Sequence, residues 1–525
     1  MTLALVAGAL NVFAFAPFGF WALQVACTAL LFALVMNASS VRQAAVLGWL
    51  YSFSWTGAGV WWLYISLHDL GGMPAWLTVL AIALLALGLG LIVGAATGGT
   101  RWLQQRWQCS LAAALLLILP ALWMLAEWTR SWIFTGFPWL SSGYAHTSAP
   151  LAGFAPLIGV YGVGWLAAVI AAALAFIAGR LASRNPSGAR PAVLLAALLL
   201  VVLPGAGQAL RGIDWTQPHG KPITVRLLQG NIPQEMKFDR AALGDTLGLF
   251  QAMITAAPAD LIATSETAVP VLAQQLPPEY LPQLATFAVR SGSHLLVGIP
   301  MSDNPAQYSN GLVVFDPAAA ETIRPYRYDK HHLVPFGEFI PPGFRWFVDF
   351  MNMPLGDQTR GTLLQAPFAV KDQWILPNIC YEDLFGEEIA AQIRDRMAHN
   401  LPAPTMMINI SNIAWFGDSI AVPQHLQISQ MRTLETGRPM LRATNTGATA
   451  VIGPHGRIQA QLAPFTRGTL AVSVQGYEGM TPFLHVGNGA IVALAGIMLL
   501  AAALSAKVAR ATLTARHSHG ATETR

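Results

Sequence analysis

Long apolar runs dominate the first 210 positions of the chain and then give way to a shorter, mixed rhythm. A helix needs about 20 apolar residues to cross a bilayer. On that measure the runs lie near 2–15, 19–37, 43–66, 74–97, 109–126, 151–179 and 191–210. From about Ile213 to His485 charges and prolines enter, and the apolar stretches shorten to β-like runs: "ITVRLLQGN", "DLIATSE", "HLLVGIP", "GLVVFD" and "MMINISN". Helical stretches such as "PPEYLPQLATFAVRSG" and "GEEIAAQIRDRMAH" fall between them. That alternation predicts a layered α/β domain whose functional groups collect just beyond strand ends. An eighth apolar run, "GNGAIVALAGIMLLAAALSA", then returns. The pattern predicts seven spans within 1–212, an α/β domain over 213–485, an eighth span over 486–508 and a polar tail over 509–525.

Composition supports a polytopic α-helical membrane protein. Mean hydropathy is +0.48 with only 11% charged residues, and the 17 Trp and 24 Phe supply interfacial anchors. A formal charge of +4 is too small to point to a nucleic-acid partner. The opening "MTLALVAGALNVFAFAPFGF" lacks a basic leader and stays apolar beyond it, so it reads as a retained first span. If eight spans alternate, Arg42, Arg101, Arg106, Arg180, Arg184, Arg190, Lys507, Arg510 and Arg516 share one side, while His68, Asp69, Glu127 and Arg130 lie opposite. The excess of positive charge marks the cytoplasmic side. Both termini are then cytoplasmic and the α/β domain faces outward, which in a bacterial inner membrane is the periplasm. The first two runs can instead form a helical hairpin, which would shift this topology.

Three polar segments of the α/β domain carry candidate chemistry. Cys27 and Cys109 belong to apolar runs, leaving Cys380 as the lone thiol of the domain. It ends the strand-like "WILPNIC" and precedes "YEDLFGEEIAAQIRD", which reads as the opening of a helix. An elbow of that kind exposes a side chain, and a helix N-terminus lowers a thiol pKa. By itself the cysteine fits a nucleophile or a small apolar filler equally well. Glu266 ends "DLIATSE" and would reach the same rim, where a partly dry cleft raises a carboxylate's pKa and suits it to act as a base. The competing reading is a solvated strand-end glutamate. In "YRYDKHHLVPFGEFIPP", Lys330 can steady an oxyanion and Glu338 lies close by. His331 and His332 have no partner at zinc-like spacing, so no metal is expected and they read as packing or hydrogen-bonding groups.

The order Glu, Lys, Cys on three strand-end segments resembles the nitrilase superfamily, whose members carry that triad on an αββα sandwich. The wider string of motifs, "FTGFPWL", "LLQGNIPQ", "HLVPFGEFIP", "ICYED", "SNIAWFGDS", "RPMLRATNTG" and "VIGPHG", together with the span order, resembles the apolipoprotein N-acyltransferases over nearly the whole chain. The resemblance implies that Cys380 is the acylated nucleophile, Glu266 the general base and Lys330 the oxyanion group. It implies supporting roles for Glu338, Glu382 and Tyr381. Phe238 stands where the family often has tryptophan, and Ile413 where it often has aspartate. Phe238, Trp415 and Phe416 become candidates for contact with the acyl chain, and for the last two ordinary core packing is the alternative. The implied substrates are a phospholipid acyl donor, typically phosphatidylethanolamine giving up its sn-1 chain, and a diacylglyceryl apolipoprotein acceptor. No cofactor is implied, and a monomer is expected.

Two rival functions use the same features. A membrane-tethered amidase of the nitrilase type would pass the acyl group to water. A transporter or anchor would use the outward domain only for binding, yet the spans hold almost no ionisable residues to mark a translocation path. The glycines of "GLGLIVGAATGG" fit close helix packing rather than a phosphate loop.

Overall fold

The computed structural model describes residues 1–182, 190–304, 307–318, 325–345 and 357–520. It divides into two compact units. One is helical and comprises Met1–Trp61, Val79–Ile213 and Asn488–Arg525; the other comprises Trp62–Thr78 and Asp214–Gly487.

Five of the described helices are long and apolar enough to cross a membrane: Ala75–Trp107, Leu111–Thr129, Pro150–Leu181, Arg190–Leu210 and Gly489–Val508. The first two apolar runs form the shorter helices Thr2–Ala14 and Trp21–Met36. The run expected over 43–66 is helical over Val41–Gly59, where Ser40 caps the N-terminus by accepting from the Gln43 N–H. The glycine-rich string packs helix on helix: a Cβ on Gly98 would stand 2.8 Å from that of Ala45, and one on Gly90 would stand 2.7 Å from Trp49. The last helix continues to Gly520, past the expected end of the eighth span. Residues 521–525 of the polar tail and the loop charge Arg184 lie outside the described residues.

The α/β unit contains twelve described strands, numbered in chain order. The first sheet uses β1 (Gln217–Gln229), β2 (Leu261–Ala263), β3 (His294–Asn304), β4 (Gln307–Phe315), β5 (Tyr326–Asp329) and β12 (Gly468–Glu478), in the order β12-β1-β2-β3-β4-β5. The second uses β6 (Phe368–Val370), β7 (Gln373–Ile379), β8 (Met406–Ser411), β9 (Met440–Thr444), β10 (Ala450–Ile452) and β11 (Ile458–Gln461), in the order β11-β10-β9-β8-β7-β6.

Side-chain alternation decides what each face meets. Leu261 and Ala263 of β2 join Leu296, Leu312, Ile375, Ile379, Ile408 and Leu441 in one buried cluster, so the two sheets face each other across it. Ile262, on the opposite face of β2, packs with Leu284 and Ala288 of the helix Tyr280–Ser291 and with Ile254 of the helix Leu243–Thr255. On the far side of the second sheet, Leu376 and Met407 meet Ile389 and Ile393 of the helix Gly386–Ala398. The layers are therefore helix, sheet, sheet, helix.

Residues 62–66 and 74–78, expected to close the third span and open the fourth, belong instead, with the loop between them, to the α/β unit. The reason is aromatic and apolar contact: the Trp62 ring lies 4.3 Å from that of Phe416, and Ile65 closes on Gly417.

Candidate active site

Four strands end at one place. Glu266 follows β2, Lys330 follows β5, Cys380 follows β7 and Asn412 follows β8, so both sheets contribute. The Glu266 segment is stitched to β3 at Gly298, whose N–H donates to Thr264 Oγ1 at 3.0 Å and whose carbonyl accepts from the Val269 N–H at 3.1 Å. A Cβ on Gly298 would stand 2.3 Å from the Ser265 carbonyl oxygen, so only glycine permits this approach.

Lys330 Nζ donates to Glu338 Oε1 at 2.8 Å and to Glu266 Oε1 at 3.4 Å. Asn310 Nδ2 donates to the same two carboxylates, at 2.7 Å to Glu266 and 2.9 Å to Glu338. The remaining Glu266 oxygen accepts from the Asn412 backbone N–H at 2.7 Å. Burial alone would raise the pKa of Glu266, but the charges of Lys330 and Lys237 and these hydrogen bonds more than offset it, and the net shift is downward. Lys330 moves the other way. Burial works against its charge, yet Glu338 and Glu266 hold the ammonium protonated above its usual range.

Cys380 departs from the expected picture in two respects. It does not open an α-helix: a single 3₁₀ turn spans Cys380–Leu384, and the helix starts at Gly386. Its φ is +52°, a left-handed conformation that costs a non-glycine residue energy and aims the side chain off the strand. Burial, followed by the negative charge of Glu266, pushes the thiol pKa up, with Lys330 pulling against them. The resting group is therefore a thiol beside an ionised carboxylate. The sequence-based expectation of a lowered thiol and a raised carboxylate is reversed at both residues, because local pattern does not reveal how many donors converge on Glu266.

Glu382 locks the two lysine and cysteine segments together. Its Oε2 accepts from the Ile379 N–H at 2.6 Å and the Tyr328 hydroxyl at 3.0 Å, while Oε1 accepts from the His331 and His332 N–H groups at 2.7 and 3.2 Å. Glu338 similarly closes its own loop through the Val334 N–H at 2.8 Å. Tyr381 is buried, with its ring 5.3 Å from Phe385. His331 Nδ1 lies 2.9 Å from the Gly361 carbonyl oxygen, and His332 stacks on Phe385 at 3.4 Å with Nδ1 2.8 Å from Glu388. Among the described residues no three His, Cys, Asp or Glu side chains form a group able to hold a metal ion.

Phe238 and Trp415 are exposed, whereas Phe416 is partly buried between Trp62 and the cluster of Ile413, Val422 and Leu426. Ile413 is wholly buried there, so at this position the chain has an apolar packing residue. A cavity of about 370 Å³ lies alongside, lined by Ile65, Leu70, Gln234, Ala414 and Phe465 among others.

Several contributors escaped the sequence reading. Asn412 sits within a string already singled out, "SNIAWFGDS", whereas Asn310 immediately precedes the run "GLVVFD" and carried no signal of its own. Asp383, His425 and Arg442 form a buried network behind the cysteine, with Asp383 Oδ1 2.9 Å from His425 Nε2 and Oδ2 2.9 Å from Arg442 Nη1. Lys237, buried beside Glu266, had no sequence signal beyond its place next to Phe238.

Comparison with known proteins places this arrangement. Residues 7–173 match the apolipoprotein N-acyltransferase N-terminal domain, and residues 224–481 match the carbon-nitrogen hydrolase family. An apolipoprotein N-acyltransferase of Ralstonia nicotianae is 49% identical over 96% of this chain and 92% of its own. The chain belongs to the apolipoprotein N-acyltransferase family. Further apolipoprotein N-acyltransferases, from Bordetella bronchiseptica and Nitrosomonas europaea, are 41% and 43% identical, each over 95% of this chain and 95% and 96% of their own lengths. The first match falls largely in the helical unit and the second within the α/β unit.

Proposed function

We propose that this chain transfers a fatty acyl group from a phospholipid, with phosphatidylethanolamine and its sn-1 chain as the expected donor, to the N-terminal amine of a diacylglyceryl-cysteine on an apolipoprotein. The observation that carries this reading is the convergence of Glu266, Lys330 and Cys380 at the ends of three strands, with Lys330 Nζ 3.4 Å from Glu266, in a member of this family.

The chemistry follows in two steps. Glu266 takes the thiol proton as Cys380 Sγ attacks the ester carbonyl, and Lys330 with the Tyr381 backbone N–H steadies the oxyanion. The C–O bond breaks, the proton passes from Glu266 to the leaving oxygen, and a thioester remains. In the second step Glu266 takes a proton from the incoming amine. Nitrogen displaces sulfur, the thiol is restored and an amide is formed. Glu338 holds Lys330, and Glu382 with Tyr381 holds the cysteine turn. The exposed rings of Phe238 and Trp415 are suited to meet the acyl chain, while the packing of Phe416 supports a structural share for that residue.

Both substrates are anchored in lipid, which supports a membrane-held enzyme of eight spans with cytoplasmic termini and a periplasmic α/β domain built mainly from residues 213–485; in this reading the enzyme acts as a monomer. Intact-protein mass spectrometry after incubation with phosphatidylethanolamine and no acceptor tests the reading. A hydroxylamine-sensitive fatty-acyl adduct on wild type and none on Cys380→Ala is expected. No adduct on folded wild type, with free fatty acid released, would favour hydrolysis by an amidase instead.

A further inference from the structure

The short helix Gln234–Lys237 is built the wrong way out for ordinary packing. Met236 and its neighbour Phe238 are 49% and 57% exposed, while Lys237 between them is 3% exposed. Lysine is among the residues least often buried, and an ammonium taken out of water needs compensation. Lys237 Nζ makes one described hydrogen bond, donating to the Glu266 backbone carbonyl at 2.9 Å. That single neutral acceptor does not account for burial of a full charge.

The charges around it do. Lys330 is shared between two carboxylates, Glu266 and Glu338, so these three groups leave one negative charge unmatched in a buried site. Glu382, the third buried carboxylate near Lys330, has its pKa raised by burial and is held by the Ile379, His331 and His332 N–H groups and the Tyr328 hydroxyl. Asp383 is matched elsewhere, by Arg442 and His425. Lys237 supplies the missing positive charge. We propose that Lys237 is a positioning residue for the transfer reaction: its ammonium fixes the Glu266 peptide and balances the charge of the carboxylate that must accept the Cys380 proton.

Without that balance Glu266 would hold a proton at higher pH and cease to be a base, and negative charge developing at sulfur and the substrate oxygen would meet an already negative site. The electrostatics agree. Burial draws the Lys237 pKa down to about 8, against the opposing pull of Glu266 and Cys380, and Lys237 in turn helps to keep Glu266 low.

This inference rests on the acyl-enzyme reading, and one experiment separates the two. The rate of acyl-adduct formation from phosphatidylethanolamine is followed by intact mass against pH for full-length wild type, Lys237→Met, Lys237→Gln and Lys237→Arg. Lys237→Gln removes the charge while keeping an N–H donor, on a side chain one atom shorter, and Lys237→Met removes charge and donor together. The expected result is acylation at pH 7 slowed about 10²-fold in Lys237→Met and Lys237→Gln, KM for the lipid unchanged, and the acid limb of the profile moved to higher pH. Lys237→Arg should restore the limb and at least about a tenth of the rate. Rates within about threefold of wild type, or slowed rates with an unmoved acid limb, would overturn the role of the charge. Absence of any adduct on wild type, with no fatty acid released, would overturn the acyl-enzyme reading and this inference with it.

Discussion

Asp383, three residues beyond Cys380, meets Arg442 at 2.9 Å with neither side chain reaching solvent. Burial opposes the charge on Asp383, but His425, Arg442 and Ser429 together hold its pKa below the usual carboxylate range. Breaking a buried pair from one side leaves the other charge uncompensated and typically costs about 3–5 kcal/mol. Arg442→Met should therefore lower the thermal midpoint of the α/β unit markedly, as read by calorimetry or by cysteine accessibility on heating. A midpoint within a degree or two of wild type would count against a structural role for the network.

The same pair sets an acid limit. A carboxylate with a depressed folded pKa contributes stability that is fully present above the unfolded value of about 3.9 and is lost as pH falls through the folded value. Asp383→Asn should remove that part of the acid dependence. Unfolding curves for wild type and variant, measured between pH 6 and 3, should differ in slope and converge at the acid end.

Glu266 should govern the acid side of catalysis. Its lowered pKa keeps it a competent base below the pH at which an ordinary glutamate, near 4.3, would be half protonated. The wild-type acid limb should lie below that value. Glu266→Gln should slow acylation by about 10²–10⁴-fold and abolish the limb. A wild-type limb at pH 6 or above would contradict the donor set around this carboxylate.

Lys330 depends on Glu338 for its placement, at 2.8 Å against 3.4 Å to Glu266. Glu338→Gln should reduce acylation by about 10²-fold with little change in lipid KM. Single-turnover adduct formation separates this outcome from weakened binding.

Gly298 offers a test of geometry without any change of charge. Replacing it with alanine would drive a methyl group into the Ser265 carbonyl and displace the backbone that carries Glu266. A misplacement of about 1 Å near reacting groups can cost about 10²-fold in rate. Gly298→Ala should thus lose far more activity than thermal stability, and an equal loss of both would point to general unfolding.

The sequence was most informative where the signal is local. Short β-like runs ending in Glu266 and Cys380 marked two of the strand ends, the family resemblance added the one before Lys330, and the two helical stretches became the helices Tyr280–Ser291 and Gly386–Ala398 that cover the sheets. It was least informative where a residue's state is decided by groups far along the chain. Asn412 reaches Glu266 from another sheet, and Lys237 is buried against a segment 29 residues away. Neither contact leaves a periodicity to read, so the directions of the Glu266 and Cys380 pKa shifts could not be foreseen. Ile413 is similar. Its role becomes visible only when Val422, Leu426 and Ala448 close around it. The segment 62–78 misled for the opposite reason: its Trp and Ile look like part of a span by composition, but their partners, Phe416 and Gly417, lie in the α/β unit.

The division of the reacting groups between two sheets makes the chemistry a late event in the life of the chain. Glu266 and Lys330 arrive with the first sheet and Cys380 with the second, so no stretch of nascent polypeptide holds both a nucleophile and its base until the sheets have docked. Docking also raises the thiol above its ordinary pKa, leaving less thiolate in the finished enzyme than in the unfolded chain. A thiol held in that state is less open to stray electrophiles and oxidants, and the same docking brings it beside a carboxylate able to activate it.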